Sequence, residues 1–182
     1  MTLFNQDKII YGKYAAILRK YSASHSGQDS SADQWKLSNG EENARPVVLF
    51  NAAVDLLYAA ASLALARGLK LKELPVLDRK DDFSILAQAW KKRQSDFLYL
   101  YRLMILLDPD LPLDEDERVR KAFRDVQDDE ADREFSFFLM YAYAGLDELD
   151  RMLSETQTYT DLANLASGLV LEYHSDDEEE EE

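Results

Sequence analysis

The segment from Val47 to Ala66 is the most apolar in the chain, interrupted only by Asn51, Asp55 and Ser62. Pro46 precedes it and Gly68 follows it closely. Proline suits a first helical turn, where its missing N–H would have no intrahelical acceptor, and glycine suits the left-handed residue that ends a helix. The pattern therefore predicts a helix over 46–67, with Phe50, Val54, Leu57, Ala61 and Leu65 along its main stripe. Alanines at 52, 53, 59, 60, 61, 64 and 66 let neighbours approach on several sides, so this is expected to be the central helix. A membrane-spanning reading would put Asp55 near the bilayer centre at about 3 kcal/mol, so a buried helix in a water-soluble bundle is the expectation.

The remaining segments are read around that helix. A first helix is expected over Phe4 to Tyr21, with Ile10, Tyr14, Ile17, Leu18 and Tyr21 on one face. Residues 22–45 are polar, with only Trp35 and Leu37 as apolar anchors, and a long mobile loop is expected there. After a connector over 69–80, Asp81 or Asp82 is expected to cap a helix that continues to Leu107, where Asp108 and Pro109 end it. Its stripe is Phe83, Leu86, Trp90, Phe97, Tyr101 and Met104. Asp114 and Glu117 stand at capping-box spacing before a short helix carrying Val119, Ala122, Phe123 and Val126. A longer helix from Asp128 or Asp129 to Ser154 follows, in which Gly145 either kinks the axis or admits another backbone. Thr160 is expected to cap the last helix, which ends near Tyr173. No alternating strand of convincing length and no tandem repeat is found. The expected fold is all-α: one helical bundle of five to seven helices over 1–173, with a disordered acidic tail over 174–182.

Charge narrows the function. The chain has 36 Asp+Glu against 21 Lys+Arg, a formal charge of −15. Such a field repels phosphate backbones and anionic lipid headgroups and attracts basic surfaces, so neither direct nucleic-acid binding nor membrane binding is expected. Cysteine is absent, which removes disulfides, thiolate nucleophiles and thiolate metal sites. Histidine occurs only at 25 and 174, with no HExxH or ExxH spacing, and no G-x-S-x-G, GxGxxG or GxxxxGK[ST] motif is present. No cofactor, metal or catalytic residue is assigned. Residues Met1 to Lys8 lack a basic region leading into an apolar stretch, so no secretory signal is read and a cytoplasmic location is expected. The one basic cluster, Lys91-Lys92-Arg93, is read as an ion-pair partner for an acidic neighbour.

Two enzyme patterns bear on the reading. Arg19 and His25, six apart, resemble the Arg-x(4–6)-His spacing of HEPN-class ribonucleases, which are also helical and of similar size. That resemblance would imply RNA cleavage by the pair; Lys20 stands where the family has a polar residue, and nothing else in the chain matches. Asp125, Asp128, Asp129 and Asp132, with Asp147 and Asp150 further along, are similar to the magnesium-binding carboxylate turns of all-helical nucleotide pyrophosphohydrolases. Here aspartates mostly replace the glutamates, and Arg124, Arg133 and Arg151 interleave with them, as on a solvated helix face.

The function expected is that of a non-enzymatic acidic accessory or adaptor subunit that binds a basic partner protein within a larger complex. Its partner-binding residues are Asp114, Glu115, Asp116 and Glu117, then Asp125, Asp128, Asp129 and Asp132. The terminal run of Asp176, Asp177, Glu178, Glu179, Glu180, Glu181 and Glu182 completes the set. The alternatives are an inhibitor that blocks a basic enzyme, as a nucleic-acid mimic or an immunity-type protein, and a HEPN-like ribonuclease or magnesium-dependent nucleotide hydrolase.

Overall fold

A computed structural model describes residues 3–23, 34–39 and 44–174, with side chains described as far as Glu172. The chain is predominantly helical, and two small strand pairs qualify the all-α expectation. In order, the elements are β1 (Lys8–Tyr11), α1 (Gly12–Tyr21), β2 (Lys36–Leu37), β3 (Arg45–Pro46) and α2 (Ala53–Ala66). They continue with β4 (Asp82–Ile85), α3 (Ala87–Lys91), α4 (Gln94–Leu107), α5 (Glu115–Phe123), α6 (Ala131–Ser154) and α7 (Tyr159–His174). Among the described residues no helix is long and apolar enough to cross a membrane.

The centre is the crossing of α2 and α6. Ala60, Ala61 and Ala64 of α2 and Ala142 and Leu146 of α6 are all fully buried. Gly145 lies at the point of closest approach, where a Cβ would sit 1.8 Å from the Ala60 carbonyl oxygen. Of the two roles open to this glycine, close approach is the one realised. Gly68 ends α2 at φ 63°, with the Leu69 N–H donating back to the Ala64 carbonyl at 2.7 Å. Packed against α6 is an aromatic cluster of Phe4, Trp90, Phe97, Phe135 and Phe138, with ring centroids 5.1–6.2 Å apart. Such tilted and edge-on pairs suit the ring quadrupoles.

Several expected boundaries are corrected. The first helix begins at Gly12 rather than Phe4, because residues 8–11 pair antiparallel with β4, Lys8 opposite Ile85 and Tyr11 opposite Asp82. Gly12 turns the chain at φ 59° and donates its N–H to the Asp81 carbonyl at 2.7 Å. The same pairing breaks the long helix expected over 81–107. Asp82 and Phe83 belong to a strand, the Asp7 carboxylate takes the N–H of Ala87 at 2.7 Å, and the chain rejoins a long helix only at Gln94. Pro46 lies in β3 opposite Lys36, so the central helix opens seven residues later than expected, at Ala53. Between them Val47, Leu49 and Phe50 donate to the carbonyls of Trp35 and Tyr21. Trp35 and Leu37 are buried anchors, and Trp35 stands edge-on to Tyr21 at 5.6 Å. The last helix is capped by Thr158, whose hydroxyl accepts the Asp161 N–H at 3.1 Å, and not by Thr160.

Candidate functional site

Helix α5, the loop after it and the first turns of α6 form one end of the molecule. The capping box read from the sequence is present: the Glu117 N–H donates to Asp114 at 2.8 Å, and the Asp114 N–H donates to Glu117 at 3.1 Å. Two of the four acids in this turn thus hold the helix start, while Glu115 and Asp116 are exposed with no side-chain partner among the described residues. Arg118 fixes α5 to the end of α4 by donating to the carbonyls of Leu111 and Leu113 at 2.8 and 3.0 Å.

Below α5 lies a buried carboxylate. Glu134 is 1% exposed and accepts the Tyr101 hydroxyl at 2.7 Å, with Lys121 at 3.3 Å and Arg133 at 3.1 Å. Burial opposes its charge, yet Tyr101, Lys121 and Arg133 together hold its carboxyl below the usual glutamate range. Burial and the same carboxylate push the Tyr101 hydroxyl well above the usual range. Glu130 takes a two-pronged contact from Arg124, at 2.6 and 2.9 Å, and a further one from Arg133 at 3.1 Å. The Arg124 bonds are the main reason that its pKa falls to about 2.

This network decides which acids remain available. Arg124 is spent on Glu130, and Arg133 on Glu130 and Glu134. Asp125, Asp128 and Asp129 stand on an exposed loop between α5 and α6, so they do not share a helical face with Asp132 as the spacing suggests. The loop lines an open depression of about 570 Å³. Asp132 takes Lys8 at 3.1 Å while its side chain stays 95% exposed. Asp147 and Asp150 lie far along α6 and tie down α1: Asp147 accepts from Lys13 and Tyr14, and Asp150 from Lys20 and Tyr21. The structure therefore does not gather the carboxylates read as a magnesium turn, and no group of three or more metal-ligating side chains occurs among the described residues.

The other sequence candidates are placed as follows. Arg19 donates to the Asp81 carboxylate and the Asp82 carbonyl, holding β4, while His25 lies outside the described residues. Arg93 pairs with Asp55 at 2.8 Å, as expected for that basic cluster, and Lys91 and Lys92 are exposed. Asp176 to Glu182 lie outside the described residues.

Sequence reasoning missed the apolar part of this end. Of the four apolar residues placed on the short helix from sequence, Val119 and Phe123 are 46% and 60% exposed, while Ala122 and Val126 are buried. The Arg102 guanidinium lies 5.2 Å from the Phe123 ring centre, and Tyr99, one turn back on α4, is also exposed. Arg118 and Lys121 lie on the inward side of α5 and Val119 and Phe123 fall outside it, but Arg120 is an exposed base in the same helix, so the sequence pattern alone does not mark the inward face. The result is an aromatic and aliphatic patch between two sets of exposed carboxylates. Comparison with protein families, curated proteins and solved structures finds no match.

Proposed function

We propose that this chain is a non-enzymatic acidic accessory or adaptor protein that binds a basic protein partner through α5 and the 125–129 loop. The observation that carries the reading is Phe123, exposed between the acidic turn at 114–117 and the acidic loop at 125–129. Exposed carboxylates raise the encounter rate with a basic surface and set its orientation, whereas a desolvated aromatic anchor supplies retention. An inhibitor that mimics nucleic acid would space its acids along one elongated face. The exposed acids of 114–132 gather instead at one end of α6, which favours the adaptor.

The test is retention of interacting proteins by the full chain at about 50 and about 500 mM salt. Wild type should hold a basic protein at low salt and release most of it at high salt. Phe123→Ala should bind at low salt but lose it in the first wash, with an unchanged melting temperature. Equal retention by wild type and Phe123→Ala, unaffected by salt, would overturn the assignment.

A further inference from the structure

Arg102 is the one base in α4, and its guanidinium lies 5.2 Å from the centre of the exposed Phe123 ring on α5. The side chain is half-buried, its Nε is enclosed with no acceptor, and no described residue gives it a hydrogen bond or an ion pair. Buried polar atoms are nearly always paired in native folds, and this chain has 36 acids for 21 bases, so the exception needs a cause. Asp96, the one acid inside α4, stands six positions back, about 9 Å along the axis and about 120° round it, outside the spacing of a helical ion pair. Stacking on Phe123 holds the guanidinium in place of an ion pair. Tyr99, three positions back on the same side of α4, is exposed beside it.

Covering Phe123 changes the state of Arg102. The two groups are stacked, so a partner that removes water from the ring removes it from the guanidinium as well. A charge stripped of water without an acceptor is strongly unfavourable, and a uniformly basic partner surface would add like-charge repulsion. An oxyanion supplied by the partner removes both penalties. With Nε enclosed, the Nη groups are the donors left to it, and a carboxylate accepts from that fork in two parallel bonds while the stacking persists.

Charge around the site says which oxyanion fits. The exposed acids of the 114–117 turn and the 125–129 loop stand on either side of Phe123, and the whole chain carries −15. A polyphosphate meets repulsion from that field, whereas one carboxylate set within an otherwise basic face does not. From the stacked, unpaired guanidinium and its acidic surroundings we infer that Arg102 is a specificity-determining residue of the α5 surface. It receives one aspartate or glutamate side chain of the basic partner protein, and it selects a basic face with an acid at its centre over a uniformly basic one. This rests on the proposed role of Phe123 as the partner's anchor.

Two short capped lysine-rich peptides test it, identical except for a central glutamate in one and a central glutamine in the other. Each is titrated calorimetrically into the full chain at about 50 and about 500 mM salt. The glutamate peptide carries one net positive charge fewer, so attraction by net charge alone favours the glutamine peptide. With Arg102 as its receptor the order reverses, and the glutamate peptide should bind wild type at least about fivefold more tightly at low salt. Arg102→Met keeps an apolar stem against Phe123 and should return the advantage to the glutamine peptide, whereas Arg102→Lys should keep part of the glutamate preference. Equal binding of the two peptides by wild type, or a glutamate preference that survives in Arg102→Met, would overturn the inference and leave basic-partner binding standing. Binding of neither peptide at low salt would overturn both. The chain's own terminal acids are a second source of carboxylate. If the glutamate preference emerges only after Asp176 to Glu182 are changed to their amides, the tail is the occupant of Arg102 and the inference fails.

Discussion

At its N-terminal end α6 meets α4 and α5 through a buried carboxylate and its cations, whereas at its C-terminal end it meets α2 and α7 mainly through leucines, with the ion pairs of Arg67 to Glu148 and Glu172 at the rim. Glu134 binds Tyr101, Lys121 and Arg133 in the first region, and Leu149 and Leu153 line an open groove in the second. A buried charge network has few acceptable arrangements, because each displaced group leaves another unsatisfied. A leucine surface tolerates sliding and repacking. The charged end is therefore a rigid mount for the proposed recognition surface, and the apolar end is the more adaptable of the two. Between them the α2–α6 crossing at Gly145 keeps the two regions on one frame.

The largest expected effect comes from that crossing. A Cβ at position 145 would meet the Ala60 carbonyl oxygen at 1.8 Å, and both atoms belong to helix backbones, so no rotamer can relieve it. Gly145→Ala should destabilise the fold by about 3 kcal/mol or more in urea denaturation, above the usual range for overpacking. A loss under about 1 kcal/mol would mean that α2 and α6 can separate freely, and the two ends would no longer share one frame.

Next comes Glu134→Ala, which strips the charged end of its central acceptor and leaves the Tyr101 hydroxyl buried without its partner. Breaking a buried pair from one side costs about 3–5 kcal/mol, and because Lys121 can partly relieve it by turning to solvent the loss here should be about 3 kcal/mol or less. A neutral result in denaturation would make the two ends equivalent in rigidity and remove the contrast.

Acid acts on both ends, since Glu148, held low by Arg151, and Asp150, held low against burial by Lys20 and Tyr21, also titrate below their usual ranges, so a local reporter is needed to read the charged end. The folded pKa values of Glu130 and Glu134 lie below the ordinary glutamate value of 4.5, Glu130 at about 2. Folded values depressed in this way contribute stability that is present above pH 4.5 and is lost as pH falls through them toward 2. The two tryptophans report on the two regions. Trp90 lies 5.7 Å from Phe135 near the start of α6, and Trp35 touches Tyr21, whose hydroxyl donates to Asp150 toward its end. In Trp35→Phe the remaining fluorescence should change as pH falls from 4.5 to 2, and Arg124→Gln should flatten that change by removing the main support of the Glu130 charge. An identical profile with and without Arg124 would break the assignment.

How much of this was legible follows from how local each cause is. The Asp114–Glu117 box, Gly68 as a helix stop and the end of α4 at Leu107 depend on neighbours within a few residues, and all three are found. The β1–β4 pair joins residues more than seventy positions apart, and Ile10 and Tyr11 also continue the helical stripe of α1, so nothing local marks the strand. The acids were recognisable as acids, but which would be spent was not. Arg124 reaches past Asp125 and Asp128 to Glu130, and Lys20 crosses to Asp150, choices fixed only by packing. Exposure of Phe123 was hidden for a related reason: its neighbour Ala122 takes the buried position, and helical spacing alone does not say which of two adjacent apolar residues faces inward.

The smallest effect is the most discriminating, because it asks the open end to become more stable. Gly168 lies inside α7 with nothing within 4 Å of where a Cβ would be placed. Alanine there restricts the unfolded chain and suits a helix, so Gly168→Ala should add about 0.5–1 kcal/mol to whatever unfolding step includes α7. The same substitution at Gly145 has the opposite sign, although both glycines are helical and 23 residues apart on adjacent helices. Hydrogen exchange tells where the gain falls. If α7 opens on its own, amides of α7 should slow by about two- to fivefold while those of α4 and α5 stay as they were, since about 0.5–1 kcal/mol is a factor of that size. If every amide that exchanges by global unfolding slows together with α7, the groove end is as firmly part of the frame as the charged end, and the difference drawn between them fails.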